Sequence, residues 1–264
     1  MSLLRAALVG LFALALTAFA TPTADAAKGG QPGREFTTLQ MNLCLSGYAG
    51  CYGGTQYPKI IDEAVATIEA TKPDAVTVNE ACSGDLEQIA ERTDYKLEFA
   101  TVIYNGAPLA CKNPTGRGYF GNAVLTKVAV KDSEQAPFAS QSGAEQRRWI
   151  CVTTRQGVNV CTTHLAVGAT SANQQAQCTE LEGVLARKQE EGPTFFGGDM
   201  NRQTDCAPEG MWVMRDDEAR QLPGIQHLYG PATGGAVTEQ VIPATYTDHD
   251  FILATSVLAP KGHR

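Results

Sequence analysis

Apolar and polar positions along this chain alternate in two rhythms. In "YPKIIDEAVATIEATKP", Ile60, Ile61, Ala64, Val65 and Ile68 recur at helical spacing, and Pro73 closes the segment. "SGDLEQIAER" has a capping-type start and a short helical body. "SANQQAQCTELEGVLARKQ" is also helical, with Ala172, Ala176, Leu181 and Leu185 among its apolar positions. Around these lie short apolar runs of strand length: "FTTLQMN", "DAVTVNE", "NAVLTKVAV", "RRWICVTT", "VNVCTTHL", "PTFFGGDMN" and "HDFILATSVL". Strands interleaved with helices and tight hairpins predict an α/β chain with substantial sheet. The pattern does not give the strand order.

The start of the chain obeys another logic. Arg5 is a short basic lead, Ala6 to Ala20 is a Leu/Ala run, and "TADAA" ends in small residues. Those are the three parts of a secretory signal peptide, assigned to residues 1–27. The apolar run is shorter than the roughly 20 residues of a membrane span, so secretion without stable membrane anchoring is expected. "KGGQPGRE" then enters the body of the protein. No linker, repeat or charge block divides residues 28–264, which are expected to form a single domain acting as a monomer.

Export changes how the 8 cysteines are read. They are most simply four disulfides, and the absence of a C-x-x-C pair argues against a zinc–thiolate site. Cys44 and Cys51 enclose a short Gly/Tyr loop, and Cys151 and Cys161 lie on two apolar runs joined by "TRQGVN", a hairpin signal. Cys82, Cys111, Cys178 and Cys206 pair in an order left open. A formal charge of −7 and a pI near 5.2 argue against a broad cationic surface for gripping nucleic acid. A nuclease needs only local positive charge and a bound cation, and Arg117, Arg147 and Arg148 are candidates for the former.

The chemistry sits where the runs end. Asn42, Glu80, His164, Asp199, Asn201, Asp248 and His249 each fall at or next to a strand terminus, where α/β proteins place ligand-handling side chains. Glu80 and Asp248 are hard oxygen donors and Asn42 adds an amide carbonyl, a set suited to magnesium or calcium. In "GGDMN" an extended chain puts Asp199 and Asn201 on one side. The acid can then take a proton from water while the amide steadies it or a phosphate oxygen. The two glycines allow close backbone approach. His164 and His249 can carry imidazole chemistry, whereas His227 has no acid beside it and His263 lies at the C-terminus.

Taken in order, "LQMNL", "AVTVNE", "GRGYFGNAVLTK", "CTTHL", "FFGGDMN" and "YTDHD" resemble the endonuclease/exonuclease/phosphatase superfamily, the deoxyribonuclease I-like fold. The resemblance spans nearly the whole chain after residue 27. It implies a four-layer α/β/β/α sandwich of two packed mixed sheets flanked by helices, with the active site at one rim. It also implies divalent-metal hydrolysis of a phosphate ester with Mg2+, Mn2+ or Ca2+. Asn42, Glu80 and Asp248 would hold the metal. Asp199 would activate water, with Asn201 on the phosphate and His249 on the phosphoryl oxygens. Tyr119 would hydrogen-bond beside His249, and His164 would be the acid for the leaving oxygen.

A pair of active-site histidines is similar to the branch that includes deoxyribonuclease I and sphingomyelinases. One departure stands out: "GIQHLYG" puts Gln226 where the family has an acid that orients the histidine. Gln226 is expected to accept a hydrogen bond from the imidazole, unless Asp216, Asp217 or Asp250 supplies an acid. A secreted phosphodiesterase acting on nucleic acid is the leading reading. A phosphatase, a lipid phosphodiesterase and a non-catalytic exported binding protein are the rivals. The lipid reading is weaker because the loop between Asn201 and Asp248 is short and mixed, with Trp212 its only tryptophan.

Overall fold

The computed structural model describes residues 33–168, 171–232 and 237–258, so the signal-peptide reading of residues 1–27 and His263 lie outside the described residues. Two six-stranded sheets dominate. The first runs β14 (Thr238–Ile242), β15 (Phe251–Leu258), β1 (Arg34–Asn42), β2 (Ala75–Cys82), β6 (Phe120–Thr126), β3 (Lys96–Thr101). The second runs β12 (Met211–Arg215), β13 (Gln226–Pro231), β11 (Thr194–Asp199), β10 (Asn159–His164), β9 (Arg148–Thr154), β7 (Val130–Pro137). Among the described residues only β1–β2 and β10–β11 are parallel pairs; the rest are antiparallel, so both sheets are mixed. A small sheet of β5 (Ala107–Pro108), β4 (Ile103–Tyr104) and β8 (Glu145–Gln146) sits beside them.

Helices α1 (Lys59–Thr71) and α2 (Ser83–Thr93) cover the first sheet, and α3 (Ala172–Glu191) covers the second. In α1 the buried face is Ile60, Ile61, Ala64, Val65 and Ile68, the stripe that its spacing predicts. These pack on Leu39, Met41 and Val76 of the sheet. Each of these Ile, Val, Leu and Met side chains contributes roughly 1.5–3 kcal/mol when fully buried. Between the sheets, Phe36 stacks on Phe195 with ring centroids 4.4 Å apart, surrounded by Val124, Ile150, Val152 and Val160. The order helix, sheet, sheet, helix is the expected four-layer sandwich.

Two helical details depart from the pattern. Ser83 is the first residue of α2, and its hydroxyl accepts from the Tyr119 N–H instead of capping its own helix. In α3, Ala172 and Ala176 are exposed, and Gln174 and Gln177 are buried with Cys178, Leu181 and Leu185. The two glutamines are buried because they tie down backbone: Gln177 accepts from the Ala166 N–H, and Gln174 donates to the Ala166 and Asn201 carbonyls.

All eight cysteines pair: Cys44–Cys51, Cys82–Cys111, Cys151–Cys161 and Cys178–Cys206. Cys151 and Cys161 stand directly opposite on the β9–β10 hairpin, as the two apolar runs suggest.

Toward one end of the sandwich the space between the sheets turns from apolar to polar. Gln40, Thr77, Asn79, Asn122, Thr162 and Gln226 are all buried there. The glycines of "FFGGD" belong to this zone. A Cβ on Gly197 would lie 2.1 Å from Thr77 Oγ1, and one on Gly198 2.4 Å from the Thr163 carbonyl oxygen. Gly197 therefore lets the second sheet close onto the first, and Gly198 lets β11 lie against β10.

Candidate active site

The polar zone opens into a cavity of about 690 Å³ whose walls include Glu80, Arg147, His164, Asp199, Asn201, Asp248 and His249. Its floor is made by strand ends from both sheets. Glu80 gets there by a β-bulge: the β2–β6 register shifts between Val78 and Ala81, and Glu80 holds φ +53°. Cys44 (φ +48°) and Asn201 (φ +49°) are left-handed as well. Non-glycine residues are uncommon in that region, and three of them here mark a backbone bent to aim side chains. The turn at Asn201 also means that "GGDMN" is not extended: β11 ends at Asp199, and Asn201 reaches the cavity by curling back.

Asn42 brackets the two buried acids. Its Nδ2 donates to Glu80 Oε1 (3.1 Å) and to Asp199 Oδ2 (2.8 Å), while its Oδ1 accepts from the Cys44 N–H (3.1 Å). The carbonyl oxygen expected as a ligand thus accepts from a backbone N–H, while the amide nitrogen spans the two carboxylates. Burial, reinforced by Asp199 and Asp248 and opposed by the Asn42 bond, pushes Glu80 up to about 7.

Burial alone would raise Asp199 too, yet it lies below the ordinary carboxylate range. The imidazoles and the N–H donors of Asn201 and Asn42 outweigh burial. The hydrogen bonds are 2.9 Å from the Asn201 N–H and 2.8 Å from Asn42.

His164 is buried, and desolvation together with the charge of Arg147 pushes it down to about 3, so it is neutral at ordinary pH. Asn201 Nδ2 lies 2.8 Å from His164 Nε2 and donates to the Leu165 carbonyl at 3.0 Å, which makes Nε2 the acceptor and leaves the proton on Nδ1. Such a ring has no imidazolium proton to give a leaving oxygen; it offers a neutral N–H. His249 Nε2 stands 3.5 Å from Asp199 Oδ2 and 3.8 Å from Asp248 Oδ1.

Behind His249 runs a chain of amides. Gln226 Nε2 lies 3.2 Å from His249 Nδ1; Gln40 Nε2 donates to Gln226 Oε1 (2.9 Å) and to Asn79 Oδ1 (2.7 Å); Thr77 Oγ1 donates to Gln40 Oε1 (2.5 Å). Asn79 Oδ1 also accepts from the Asp199 N–H at 2.7 Å. Because Gln226 Oε1 is committed to Gln40, its amide nitrogen faces the imidazole. Gln226 is the His249 partner, as the motif placed it, but it donates where acceptance was expected.

The acids considered in its stead are used elsewhere. Asp216 takes the Gln226 backbone N–H, Asp250 takes the backbone N–H groups of Arg220 and Ala244, and Asp217 pairs with Arg215.

Three expected contributors stay out of this cluster. Tyr119 is 49% exposed and does not line the cavity, where its neighbour Phe120 does. Arg117 is buried in an ion pair with Asp85 (2.6 Å), under the ring of Tyr57, and lends no charge to a phosphate path. Arg148 turns to the Thr101 carbonyl, which leaves Arg147 as the cavity's cation, itself 3.1 Å from Glu145. His227 is structural, held between the Tyr229 hydroxyl and the Gly224 carbonyl. The amides Gln40, Asn79 and Gln174 are the site-supporting residues that periodicity misses, because it treats buried glutamine and asparagine as surface.

The pattern of the endonuclease/exonuclease/phosphatase family matches residues 57–262. The chain belongs to that family. As an endonuclease/exonuclease/phosphatase protein it is a metal-dependent hydrolase of phosphoric esters. The fold is shared with the human Nocturnin catalytic domain with bound sulfate, at 13% identity and TM-score 0.63, covering 86% of this chain and 94% of that one. It is shared with an endonuclease/exonuclease/phosphatase from Beutenbergia cavernae, at 17% and 0.61, covering 88% and 73%. It is also shared with D. rerio TDP2 complexed with single strand DNA product, at 15% and 0.57, covering 84% and 98%. No curated protein matches the sequence.

The donor set fits a divalent ion. Ligand atoms of Glu80, His164 and Asp199 lie within 4.8 Å of one another, and Asp248 lines the same cavity. Several carboxylates gathered with one already-paired arginine call for a cation, and oxygen donors suit a hard one.

Proposed function

We propose that this protein is an exported, Mg2+-dependent phosphodiesterase that cleaves nucleic acid, with Mn2+ as a working substitute. The observation that carries the reading is the convergence of Glu80, Asp199, Asp248, His164 and His249 on one cavity at the strand ends of both sheets. Glu80 and Asp248 would hold the ion, with His164 and Asp199 beside them. When bound, it would neutralise charge building on the phosphoryl oxygens.

Asp199 is held by two N–H donors and kept ionised, so it orients water and takes its proton as the new P–O bond forms and the bond to the leaving oxygen breaks, that oxygen taking its proton from solvent. His249 donates to a phosphoryl oxygen, and His164, a neutral ring, does so through its Nδ1–H. Asn201 serves mainly to fix the His164 tautomer. The leading sequence "LLRAALVGLFALALTAFA" supports export.

The test is hydrolysis of plasmid DNA, sphingomyelin vesicles and a generic phosphodiester by the purified protein, with magnesium or chelator. Magnesium-restored cleavage of DNA is expected; hydrolysis confined to sphingomyelin, or full activity in excess chelator, overturns the proposal.

A further inference from the structure

Among the described residues, the exposed large hydrophobic side chains are Tyr48, Tyr104, Tyr119, Val167 and Leu222. Four of these five, all but Tyr119, line the mouth of the catalytic cavity. They come from four separate segments, so the clustering is not the by-product of one greasy loop. An apolar collar around an otherwise charged site is a binding feature.

The supports of the two aromatic members are tied into the fold. Tyr48 sits in the loop closed by Cys44–Cys51, with its own N–H and that of Ala49 directed at Ser46 Oγ (3.1 and 3.4 Å). Tyr104 is in β4, paired on both sides by β5 and β8. Beyond Tyr104 and Val167 the cleft continues into a second hollow of about 220 Å³, lined also by Ser142, Ala144, Glu145, Arg147 and Ala166. Tyr104 and Val167 therefore stand as a gatepost between the reaction centre and an outer subsite.

We infer that Tyr48 and Tyr104 are stacking platforms for unpaired nucleobases, and that the preferred substrate is a single strand or a frayed end. This rests on the nuclease reading. A protein of charge −7 cannot rely on neutralising many phosphates, so a grip on bases must supply what electrostatics does not. Lys112 Nζ packs on one face of the Tyr48 ring, 3.7 Å from its centroid, which leaves the other face for a base, and Arg147, paired with Glu145, lines both hollows. Bases in a duplex are stacked on one another and offer no free face to a tyrosine at a cavity mouth. The collar's phenol-bearing rings also suit a base better than acyl chains, and no exposed Trp or Phe projects from it.

The experiment compares three charge-matched substrates in magnesium: a single-stranded oligonucleotide, the same strand with abasic positions flanking the scissile bond, and its duplex. The intact single strand is expected to be the best of the three. Tyr48→Ala and Tyr104→Ala should each lower the kcat/KM ratio of intact to abasic strand about tenfold, roughly the lower part of what one base stack contributes, and Tyr→Phe should restore it. A 2-aminopurine base beside the scissile bond should be quenched on binding by Asp199→Asn protein, and less so once Tyr104 is also Ala. Equal ratios in wild type and both Ala variants would overturn the stacking assignment while leaving nuclease activity intact. A loss seen only on phospholipid vesicles would make the collar a lipid-docking edge and overturn it too. Cleavage of a generic diester without any cleavage of nucleic acid would instead remove the nuclease reading on which it stands.

Discussion

Acidification should strip this site of its divalent ion well above the pH at which an ordinary glutamate is protonated. Glu80 is lifted from 4.5 to about 7, first by burial and then by the proximity of Asp199 and Asp248. A metal must displace that proton to bind. Above about 7 no proton competes; below it, each pH unit lowers apparent affinity about tenfold, so about pH 5.5 costs about thirtyfold relative to about pH 8. A glutamate at its ordinary value would lose only about a tenth of its affinity over the same range.

Two of the groups beside it, His164 and Asp199, add nothing to the slope. His164 is already neutral throughout, being held near 3, and Asp199 lies below the carboxylate range. Calorimetric titration with Mg2+ or Mn2+ across this range measures the effect directly. Glu80→Gln should bind more weakly and flatten the dependence, because the competing proton is gone. An affinity that stays level between the two ends in the wild type would refute the argument.

Other consequences follow from the same geometry. Asp199→Asn should cut turnover by about a hundred- to ten-thousandfold, the usual share of a general base; a parallel collapse of metal affinity in the calorimeter would instead make Asp199 chiefly a ligand. Gln226→Glu should keep the length of the side chain but accept from His249 Nδ1, and the pH–rate profile should change; superimposable profiles would disqualify Gln226 as the partner. Asp216 is buried, with one oxygen lacking a hydrogen-bond partner, and burial raises it to about 7. Its contribution to stability is full below the unfolded value near 3.8 and is lost as pH rises through about 7. Asp216→Asn should therefore raise Tm at alkaline pH by more than at acid pH, and a uniform shift in thermal melts would contradict this. Denatured, unreduced protein should show no titratable thiol, and reduction should lower Tm, since one disulfide typically contributes about 2–4 kcal/mol.

Local spacing along the chain carries much of this molecule. The α1 stripe, the β9–β10 hairpin with its disulfide, and the strand-end placement of Glu80, Asp199 and His249 are all legible in the amino-acid sequence. What is not legible there depends on contacts distant in sequence. β7 ("VKDSEQAP") and β14 ("TEQVI") are edge strands whose polarity hides them, because only one side needs a partner. Gln174 and Gln177 read as surface, and they are buried only because carbonyls and N–H groups from other loops meet them. Arg117 reads as a free cation until Asp85, remote in sequence, packs beneath it. The direction of the Gln226 bond is the subtlest case. It is decided by Gln40 and Thr77 on the opposite sheet, so no inspection of the "GIQHLYG" stretch alone could reveal it.

The left-handed backbone at Glu80 has a consequence for how such a protein changes over time. A glycine would adopt φ +53° without the strain of about 1–3 kcal/mol that other residues carry there, and it would remove a carboxylate whose burial is unfavourable at neutral pH. Heat resistance and hydrolysis therefore pull this codon in opposite directions. A library selected only for thermal survival should enrich Glu80→Gly, and lineages freed from the need to cut phosphodiesters should drift the same way, becoming sturdier as they fall silent.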